Sequence, residues 1–364
     1  MRTSRTTMIA LVALTTLLIG CGGGERAQAK GPKGFWGLVA GAPMVASDFS
    51  KIKTAGVSTF RVQLQWAAIQ PTKNGRYGWA SIDAQFAELA RNGIEPLPYL
   101  IGSPAWVGGE AAPPIDNSEQ LGAWSAFTRE AVGRYGPNGK FWERFAITDP
   151  GVRPKPARLW EVWIEPNIPA FWKPRPSTGE YAKLFNATAK AVRAVDPDGQ
   201  SMVAGVFTAP GAEGSILGPK FLDRLLSKKA TRRRVDVVGM HPYAKDAKGV
   251  GEQTLRIRKA INGAGGRNLP IMVDEIGWGS DPTADSLLAK SPAGQAKALK
   301  QSFNLLLKKR RAWKIRNVVW YQYRDPDEDQ RSSPCPFCDR AGLLNANRTP
   351  KPAWNAFLSF TGGH

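Results

Sequence analysis

Two glutamates in the sequence each close an apolar run, and carboxyl groups in such positions can do acid–base or nucleophilic chemistry. Glu165 ends the stretch "RLWEVWIE" and is followed at once by Pro166, and Glu275 comes at the end of "LPIMVDE". A buried carboxylate is costly unless it is paired or has a chemical task. Two such groups facing one pocket suit glycoside hydrolysis, in which one protonates the leaving oxygen and the other attacks the anomeric carbon or activates water.

The elements that carry these glutamates alternate between strand and helix patterns along most of the chain. Strands are predicted at 35–40, 58–66, 95–101, 159–165, 201–206, 235–241, 270–275 and 318–323. Helices are predicted at 47–54, 81–92, 118–135, 179–195, 219–229, 252–262, 293–311 and 352–360, with 140–157 as a loop. This alternation predicts a parallel sheet, and eight units favour a single (β/α)8 barrel. A doubly wound sheet is less well supported because no glycine-rich phosphate loop follows the first strand.

In a (β/α)8 barrel the carboxyl ends of the strands converge on one pocket. Glu165 and Glu275 would then approach each other from the fourth and seventh strands. Two nearby like charges separate their pKa values, so one group stays protonated while the other is charged. We expect Glu161 to be structural, and Asp274 to point away from Glu275 into an ion pair on the helix side.

Four motifs resemble those of retaining glycoside hydrolases of clan A, closest to the cellulase-like and β-xylosidase-like families. "WIEPN" (163–167) is similar to the strand-four motif that carries the acid/base, and "VDEIGW" (273–278) to the strand-seven motif that carries the nucleophile. "HPY" (241–243) and "FRVQLQW" (60–66) resemble the strand-six and strand-two motifs that support the nucleophile. The resemblance covers nearly all of residues 34–360. It implies that Glu165 is the acid/base and Glu275 the nucleophile.

A sugar-binding set follows from the same motifs and from aromatic residues near the strand ends. Sugars stack their apolar faces on aromatic rings, so tryptophans near the pocket could contact a saccharide. The expected substrate-binding residues are Arg61, Trp66, Asn167, His241, Tyr243, Trp278 and Trp320. Ile164 departs from the clan, which usually has an Asn there that binds the sugar 2-hydroxyl. Another group replaces that contact, the substrate differs at that carbon, or catalysis is weak or absent.

These features predict a hydrolase that cleaves a β-linked bond of an oligo- or polysaccharide with retention, as a monomer and with no cofactor. A metal site is not expected, because the chain has two His and three Cys and zinc needs at least three protein ligands. Two alternatives remain. One is a non-catalytic carbohydrate-binding protein of the cell surface, and the other is a structural cell-wall protein held by charge.

The amino-terminal sequence has the pattern of an export signal. Arg2 and Arg5 precede an apolar run over 8–19, and Leu18-Ile19-Gly20-Cys21 resembles a bacterial lipobox. We predict a signal peptide at 1–20, a flexible tether at 21–33 and the barrel at 34–364, with Cys21 acylated. The protein would then lie outside the cytoplasm, anchored by lipid to the bacterial cell membrane. An ordinary secretory signal is the alternative.

Charge and cysteine usage agree with that location. The chain has 50 Lys and Arg against 30 Asp and Glu, a formal net charge of +20, which favours anionic surfaces. Nucleic acid is not an expected partner, because no nucleic-acid motif accompanies the basic clusters. Cys335 and Cys338 lie three residues apart in "SPCPFCDR". Outside the cytoplasm a disulfide between them is expected, rather than a redox-active or metal-binding pair.

Anchoring through Cys21 makes a direct prediction. Cys21→Ser removes the acylated thiol, so the protein should move from the membrane fraction to the soluble fraction or remain as unprocessed precursor. Fractionation followed by mass measurement of the amino terminus distinguishes these outcomes. Membrane association of a normally processed Cys21→Ser protein would refute the anchor.

Overall fold

The computed structural model describes residues 31–209, 211–331 and 335–364, so the predicted signal peptide, Cys21 and most of the predicted tether lie outside the described residues. Eight parallel strands pair in chain order, and the first pairs with the last to close a barrel. The strands are β1 Trp36–Val39, β2 Thr59–Gln65, β3 Glu95–Ile101, β4 Leu159–Val162, β5 Gln200–Phe207, β6 Val237–His241, β7 Ile271–Ile276 and β8 Ile315–Trp320. The predicted (β/α)8 barrel is confirmed.

Helices surround the barrel and connect its strands. They are α1 Ala46–Thr54, α2 Trp66–Ile69, α3 Ala80–Arg91, α4 Ser118–Tyr135, α5 Lys140–Thr148, α6 Thr178–Val195, α7 Gly218–Leu226, α8 Lys229–Arg232, α9 Ala247–Gly263, α10 Pro292–Trp313 and α11 Pro352–Thr361. Side-chain oxygens of Asn117, Ser177, Asp246 and Ser291 cap the amino ends of α4, α6, α9 and α10. Among the described residues, no helix combines the length and the apolar character needed to cross a membrane.

The segment 140–157 was predicted as a loop, and for its first half that prediction is wrong. Helix α5 forms there because Phe141, Trp142 and Phe145 fall on one helical face and are buried. The rings of Phe141 and Trp142 pack against Phe86 of α3. All three prolines of the segment follow the helix, so none interrupts its hydrogen bonds.

The barrel interior is layered, and this layering places the polar side chains at one end. An apolar floor near the amino ends of the strands consists of Leu97, Leu159, Met202, Val237 and Met272. Inward-facing residues alternate along a strand, so the next inward positions, two residues further on, include Tyr99, Glu161 and Asp274. The polar layer therefore lies above an apolar floor, toward the carboxyl ends of the strands.

Strand β4 ends at Val162, three residues earlier than predicted, and the chain then follows an unusual path. Trp163 has a φ of 73° and Glu165 a φ of 37°, values that are uncommon for residues other than glycine. Neighbouring strands hold this path: the N–H of Trp163 donates to the Leu100 carbonyl (2.8 Å) and that of Glu165 to the Gly205 carbonyl (3.1 Å). Such backbone strain persists only where the surroundings fix it, and it is concentrated at functional sites.

The expected disulfide is present in the segment that follows β8. Cys335 and Cys338 are bonded, with their Cα atoms 5.4 Å apart. Phe337, inside this small loop, packs edge-on against Tyr243 with the ring centroids 5.4 Å apart. The loop therefore covers the barrel mouth beside the end of β6.

Candidate active site

Glu165 and Glu275 lie together at the barrel mouth. Glu165 follows β4 and Glu275 lies near the end of β7, and each is almost fully buried, with 6% and 7% of its surface exposed. One carboxylate oxygen of each, together with a ring nitrogen of His241, lies in a group of atoms within 4.8 Å of one another. The ends of β6 and β7 and the segment after β4 thus bring two carboxyl groups and an imidazole close together.

Arg61, from β2, joins the carboxylates beneath the mouth. Its Nη1 donates to Oε1 of Glu275 (2.5 Å), while Nε and Nη2 donate to the two oxygens of Glu161 at 2.7 Å each. The guanidinium also lies over the ring of Tyr99, 4.0 Å from its centroid. Charge-assisted bonds of this forked type fix geometry as well as supply energy. Arg61 therefore sets the orientation of Glu275.

Glu161 is the anchor of this arginine. Its side chain is fully buried and lies two residues above the apolar floor. Burial raises the pKa of Glu161 above its ordinary value, and the charge of the adjacent Arg61 opposes the shift. The expectation of a structural role agrees with these contacts, because Glu161 acts on the pocket through Arg61.

His241, at the end of β6, lies between two carboxylates. Its Nδ1 is 2.6 Å from Oε1 of Glu165 and its Nε2 is 3.1 Å from Oδ2 of Asp274. The prediction that Asp274 pairs on the helix side is therefore wrong. The pairing of β7 with β8 is irregular between Val273 and Ile276, so Asp274 and Glu275 both reach the interior although they are consecutive.

The electrostatics of this group follow from burial and from neighbouring charges. Burial raises the pKa of Glu165, and the hydrogen bond from His241 only partly opposes this. Burial alone would lower the pKa of His241, but Glu275 and Asp274 raise it well above its ordinary value. Burial would likewise raise the pKa of Asp274, but His241 and Arg61 hold it below its ordinary value. The result is an imidazolium between carboxyl groups, with a proton available beside Glu165.

Close approach of β5 to this pair requires a glycine. A Cβ on Gly205 would overlap Nε2 of His241 and Oδ2 of Asp274. The absent side chain leaves room for the imidazole and the carboxylate to meet, and the Gly205 carbonyl accepts the N–H of Glu165. Gly205 therefore both gives His241 of β6 room to reach Asp274 and holds the segment that follows β4.

Tyrosines, rather than tryptophans, surround the carboxylates. The hydroxyl of Tyr243 donates to Oε2 of Glu275 (3.0 Å), and Gln253 of α9 donates to the Tyr243 carbonyl (2.9 Å). Burial raises the pKa of Tyr321, and the charge of Glu275 adds to this rise. Sequence reasoning identified Tyr243 but missed Tyr99 and Tyr321. The position of Tyr99, opposite Glu161 in the β3–β4 register, becomes visible only once the strands are paired.

The predictions that Trp66, Trp278 and Trp320 contact sugar are wrong. All three are fully buried. Their indole nitrogens donate to Gln70, to the Ala244 carbonyl and to the Ala341 carbonyl, respectively. Trp66 packs in the aromatic layer outside the barrel with Trp106, Trp124 and Phe127. Aromatic residues at strand ends face the helices as readily as the pocket, and sequence spacing does not separate the two cases.

Asn167 was also expected to bind substrate, and that prediction is wrong. Its side chain is buried, and the Nδ2 group donates to the carbonyls of Phe207 and Ile216, at 2.9 Å each. Its Oδ1 accepts the N–H of Phe207 (2.9 Å). Asn167 therefore fastens the segment after β4 to the end of β5.

The open space beside the site lies on the side of β2 and β3. A cavity of about 1060 Å3 is lined by Arg61, Gln63 and Tyr99 at the mouth, and by residues of the β1–α1 connection, α3 and α5. Glu165 and Glu275 do not line it, but Arg61 does and binds Glu275 directly. Gln63 is exposed even though it follows Arg61 on the inward face, so the mouth is open beside it.

The cluster of Glu165, His241 and Glu275 has the spacing to hold a cation. Both ring nitrogens of His241 already contact carboxylates, and Arg61 places a positive charge on Glu275. A metal ion would have to displace these partners. The cluster is therefore better suited to holding and moving protons than to binding a metal.

Replacing Asp274 tests the charge arrangement around His241. Asp274→Asn removes one negative charge that raises the His241 pKa, so that pKa should fall by about one unit or more. Imidazole ¹⁵N NMR measures it, with Asp285→Asn, an exposed position, as the control. The interaction stabilises the folded protein below the unfolded His pKa near 6.5 and is lost as the pH rises through the folded value. A wild-type His241 that titrates near 6.5 would contradict this arrangement.

Comparisons with known proteins agree with the fold and motifs. No family model matches the chain. A β-xylosidase of Geobacillus stearothermophilus is 27% identical over 242 residues, which cover 60% of this chain and 43% of that protein. The chain thus spans less than half the length of this relative.

Solved structures with the same fold include several glycoside hydrolases. A family 39 glycoside hydrolase from Bacteroides cellulosilyticus superposes with a TM-score of 0.64 at 21% identity, covering 91% of this chain and 64% of that one. A monomeric β-xylosidase from Caulobacter crescentus gives 0.63 at 20%, covering 92% and 69%. Xylanase 10B from Thermotoga maritima gives 0.60 at 13%, covering 91% and 95%. The chain therefore shares the (β/α)8 fold of these glycoside hydrolases and is similar in sequence to a β-xylosidase over 242 residues.

Proposed function

We propose that this protein is a glycoside hydrolase that cleaves a β-linked bond with retention of configuration. The observation that carries the proposal is the approach of Glu165 and Glu275 at the barrel mouth, where one oxygen of each lies within 4.8 Å. Carboxyl groups about 5–5.5 Å apart are typical of retaining enzymes, whereas inverting enzymes need about 6.5–9.5 Å to admit a water. The short separation supports a covalent, two-step route.

Glu165 is the acid/base in this proposal. Burial raises the pKa of Glu165, so the carboxyl group keeps its proton to a higher pH than an exposed glutamate does, which suits protonation of a leaving oxygen. In the second step the ionised Glu165 takes a proton from the attacking water. His241, 2.6 Å away, donates a hydrogen bond to the ionised form and so stabilises Glu165 in this second step.

Glu275 is the nucleophile. Arg61 holds Oε1 and Tyr243 holds Oε2, so the carboxylate is oriented before substrate enters. An oxygen of Glu275 bonds to the anomeric carbon while the bond from that carbon to the leaving oxygen breaks, and the proton of Glu165 goes to the leaving group. Water then attacks the anomeric carbon from the face that the leaving group vacated, transfers a proton to Glu165 and releases Glu275.

The substrate is proposed to be an oligo- or polysaccharide with β-linked units. Support comes from the relatives named β-xylosidase and xylanase, which make aryl β-xylosides the first substrates to test. Tyr99 and Tyr321 supply aromatic surface near the carboxylates, and the exposed Gln63 offers an amide at the mouth.

We also propose that the protein is a monomer, exported and lipid-anchored. The signal-like residues 1–21 and the disulfide between Cys335 and Cys338 support this location.

Ile164 favours a second candidate, a carbohydrate-binding protein without catalysis. Its side chain is 8% exposed and lies among core residues, and it offers no hydrogen bond to a sugar. A contact with the 2-hydroxyl strengthens in the transition state of these reactions, so its loss would affect the rate more than binding. Turnover of a panel of aryl β-glycosides separates the two functions, and retention on a polysaccharide column without turnover would favour the second.

Azide rescue tests the two roles. Glu275→Gly should lose nearly all hydrolysis of an activated aryl glycoside, and azide entering the vacated space should restore turnover with an inverted product. Glu165→Gly should lose about 10²–10⁴-fold on substrates with poor leaving groups and much less on activated ones. Azide should then attack the glycosyl-enzyme and give a product of retained configuration. Proton NMR of the glycosyl azides reads the stereochemistry.

The control for this experiment is Glu328→Gly, whose side chain is 93% exposed. It should keep wild-type turnover and show no effect of azide. Azide products of the same configuration from Glu275→Gly and Glu165→Gly would contradict the assigned roles.

A further inference from the structure

A second cavity lies on the amino-terminal face of the barrel, at the opposite end from the carboxylates. Its volume is about 350 Å3, and it forms where α9 and α10 end and the chain turns into β7 and β8. Its lining residues are Arg258, Asn262, Arg267, Asn268, Ala312 and Lys314. Four residue steps along β7 separate Ile271 from Glu275, a distance of about 13 Å at the rise of a parallel strand. This cavity is therefore distinct from the proposed active site.

Arg258 is a buried cation whose charge is not balanced by a neighbouring carboxylate. Only 4% of its surface is exposed. Its Nη1 and Nη2 donate to the carbonyls of Leu269 (2.7 Å) and Gly266 (3.1 Å), and its Nε has no partner among the described residues. No ion pair of Arg258 is found in the described ranges. A buried charge held only by neutral carbonyls is costly, so an anion beside it would be stabilising.

Two more cations complete the rim of the cavity. Arg267 and Lys314 are exposed, and Nζ of Lys314 contacts Oδ1 of Asn268 (3.2 Å), so the amide hydrogens of Asn268 remain to be donated elsewhere. No acidic side chain lines the cavity. The carboxyl ends of α9 and α10 contribute roughly half a negative charge each, and three full cations outweigh them. Burial lowers the pKa of Arg258, but a guanidinium keeps its proton in a protein.

The surrounding surface strengthens the positive field. The stretch from residue 289 to residue 323 contains no Asp or Glu. Lys308, Lys309, Arg311 and Arg316 are exposed at or beyond the end of α10. Summed charges of one sign raise the local concentration of anions and speed their binding. The acids near Arg316 on this face, Glu95 and Asp236, are paired with Lys155 and Arg193, so the exposed cations give the face a net positive charge.

We propose that this cavity binds a phosphate group, either free phosphate or the phosphodiester of an anionic lipid. Guanidinium and ammonium groups both bind phosphate, and several donors around one cavity match an anion with several oxygens better than a carboxylate with two. Lys33 and Gly34, where the chain enters the barrel, line a groove on the same face together with Arg316. A tether that begins at a membrane would therefore join the barrel at this face. The proposal does not depend on the proposed hydrolase activity.

Phosphate titration of the full-length protein tests the site. The pocket variant is Arg267→Ser with Lys314→Asn, because the φ of 54° at Lys314 is tolerated by Asn. The control, Lys297→Ser with Lys300→Ser, removes the same charge from exposed positions on α10. Calorimetry should show one inorganic phosphate per wild-type chain, bound at least tenfold more weakly by the pocket variant and within twofold of wild type by the control. Absence of saturable binding, or equal weakening in both variants, would overturn the proposal.

Vesicle sedimentation identifies the source of the phosphate group. Each protein carries Cys21→Ser, so that no acyl chain contributes, and is mixed with vesicles of phosphatidylglycerol and phosphatidylcholine or of phosphatidylcholine alone. Binding to the anionic vesicles that is lost in the pocket variant and kept in the control assigns the site to a lipid headgroup. Phosphate binding that depends on the pocket, combined with vesicle binding that does not, assigns it to free phosphate.

Discussion

The buried guanidinium of Arg61 is the constraint on which the site depends. Removing that charge from water is costly, and the cost is offset only because Glu161 and Glu275 bind it through three hydrogen bonds. The apolar floor below, built from residues of five strands, excludes water and so strengthens these bonds. The same pairing that makes the arginine tolerable inside the barrel also aims Glu275 at the pocket.

A chain of side chains with alternating charge leads from Arg61 to Glu165. Asp274 lies 3.8 Å from Nη2 of Arg61 and accepts from His241, which in turn contacts Glu165. Each link comes from a different strand, and only a closed barrel brings β2, β4, β6 and β7 to one point. Gly205 removes the side chain that would block the last link. The carboxylates that bind Arg61 and the imidazole that contacts Glu165 thus belong to one connected network of charges.

The sequence predicted some parts of this site and not others, because periodicity and motifs indicate different features. The barrel and the meeting of Glu165 with Glu275 followed from periodicity and from the rule that strand ends converge. Arg61, His241 and Tyr243 were found through their motifs. Asp274 was missed because Glu275 was taken as the inward residue and regular alternation then turns Asp274 outward, whereas β7 is irregular just where these two residues stand. The tryptophans and Asn167 were misplaced because the sequence near a strand end does not show which side of the barrel a ring or amide faces.

The central claim is that Glu275 forms a covalent bond to the sugar. An activated 2-deoxy-2-fluoro-β-glycoside tests it, since fluorine slows both steps while a good leaving group lets the first proceed, so the glycosyl-enzyme accumulates. Mass spectrometry of the digested protein should find one fluoroglycosyl unit per chain, on the peptide that carries Glu275. A label on Glu161 or Glu165, or hydrolysis with inverted product and no label, would contradict the account.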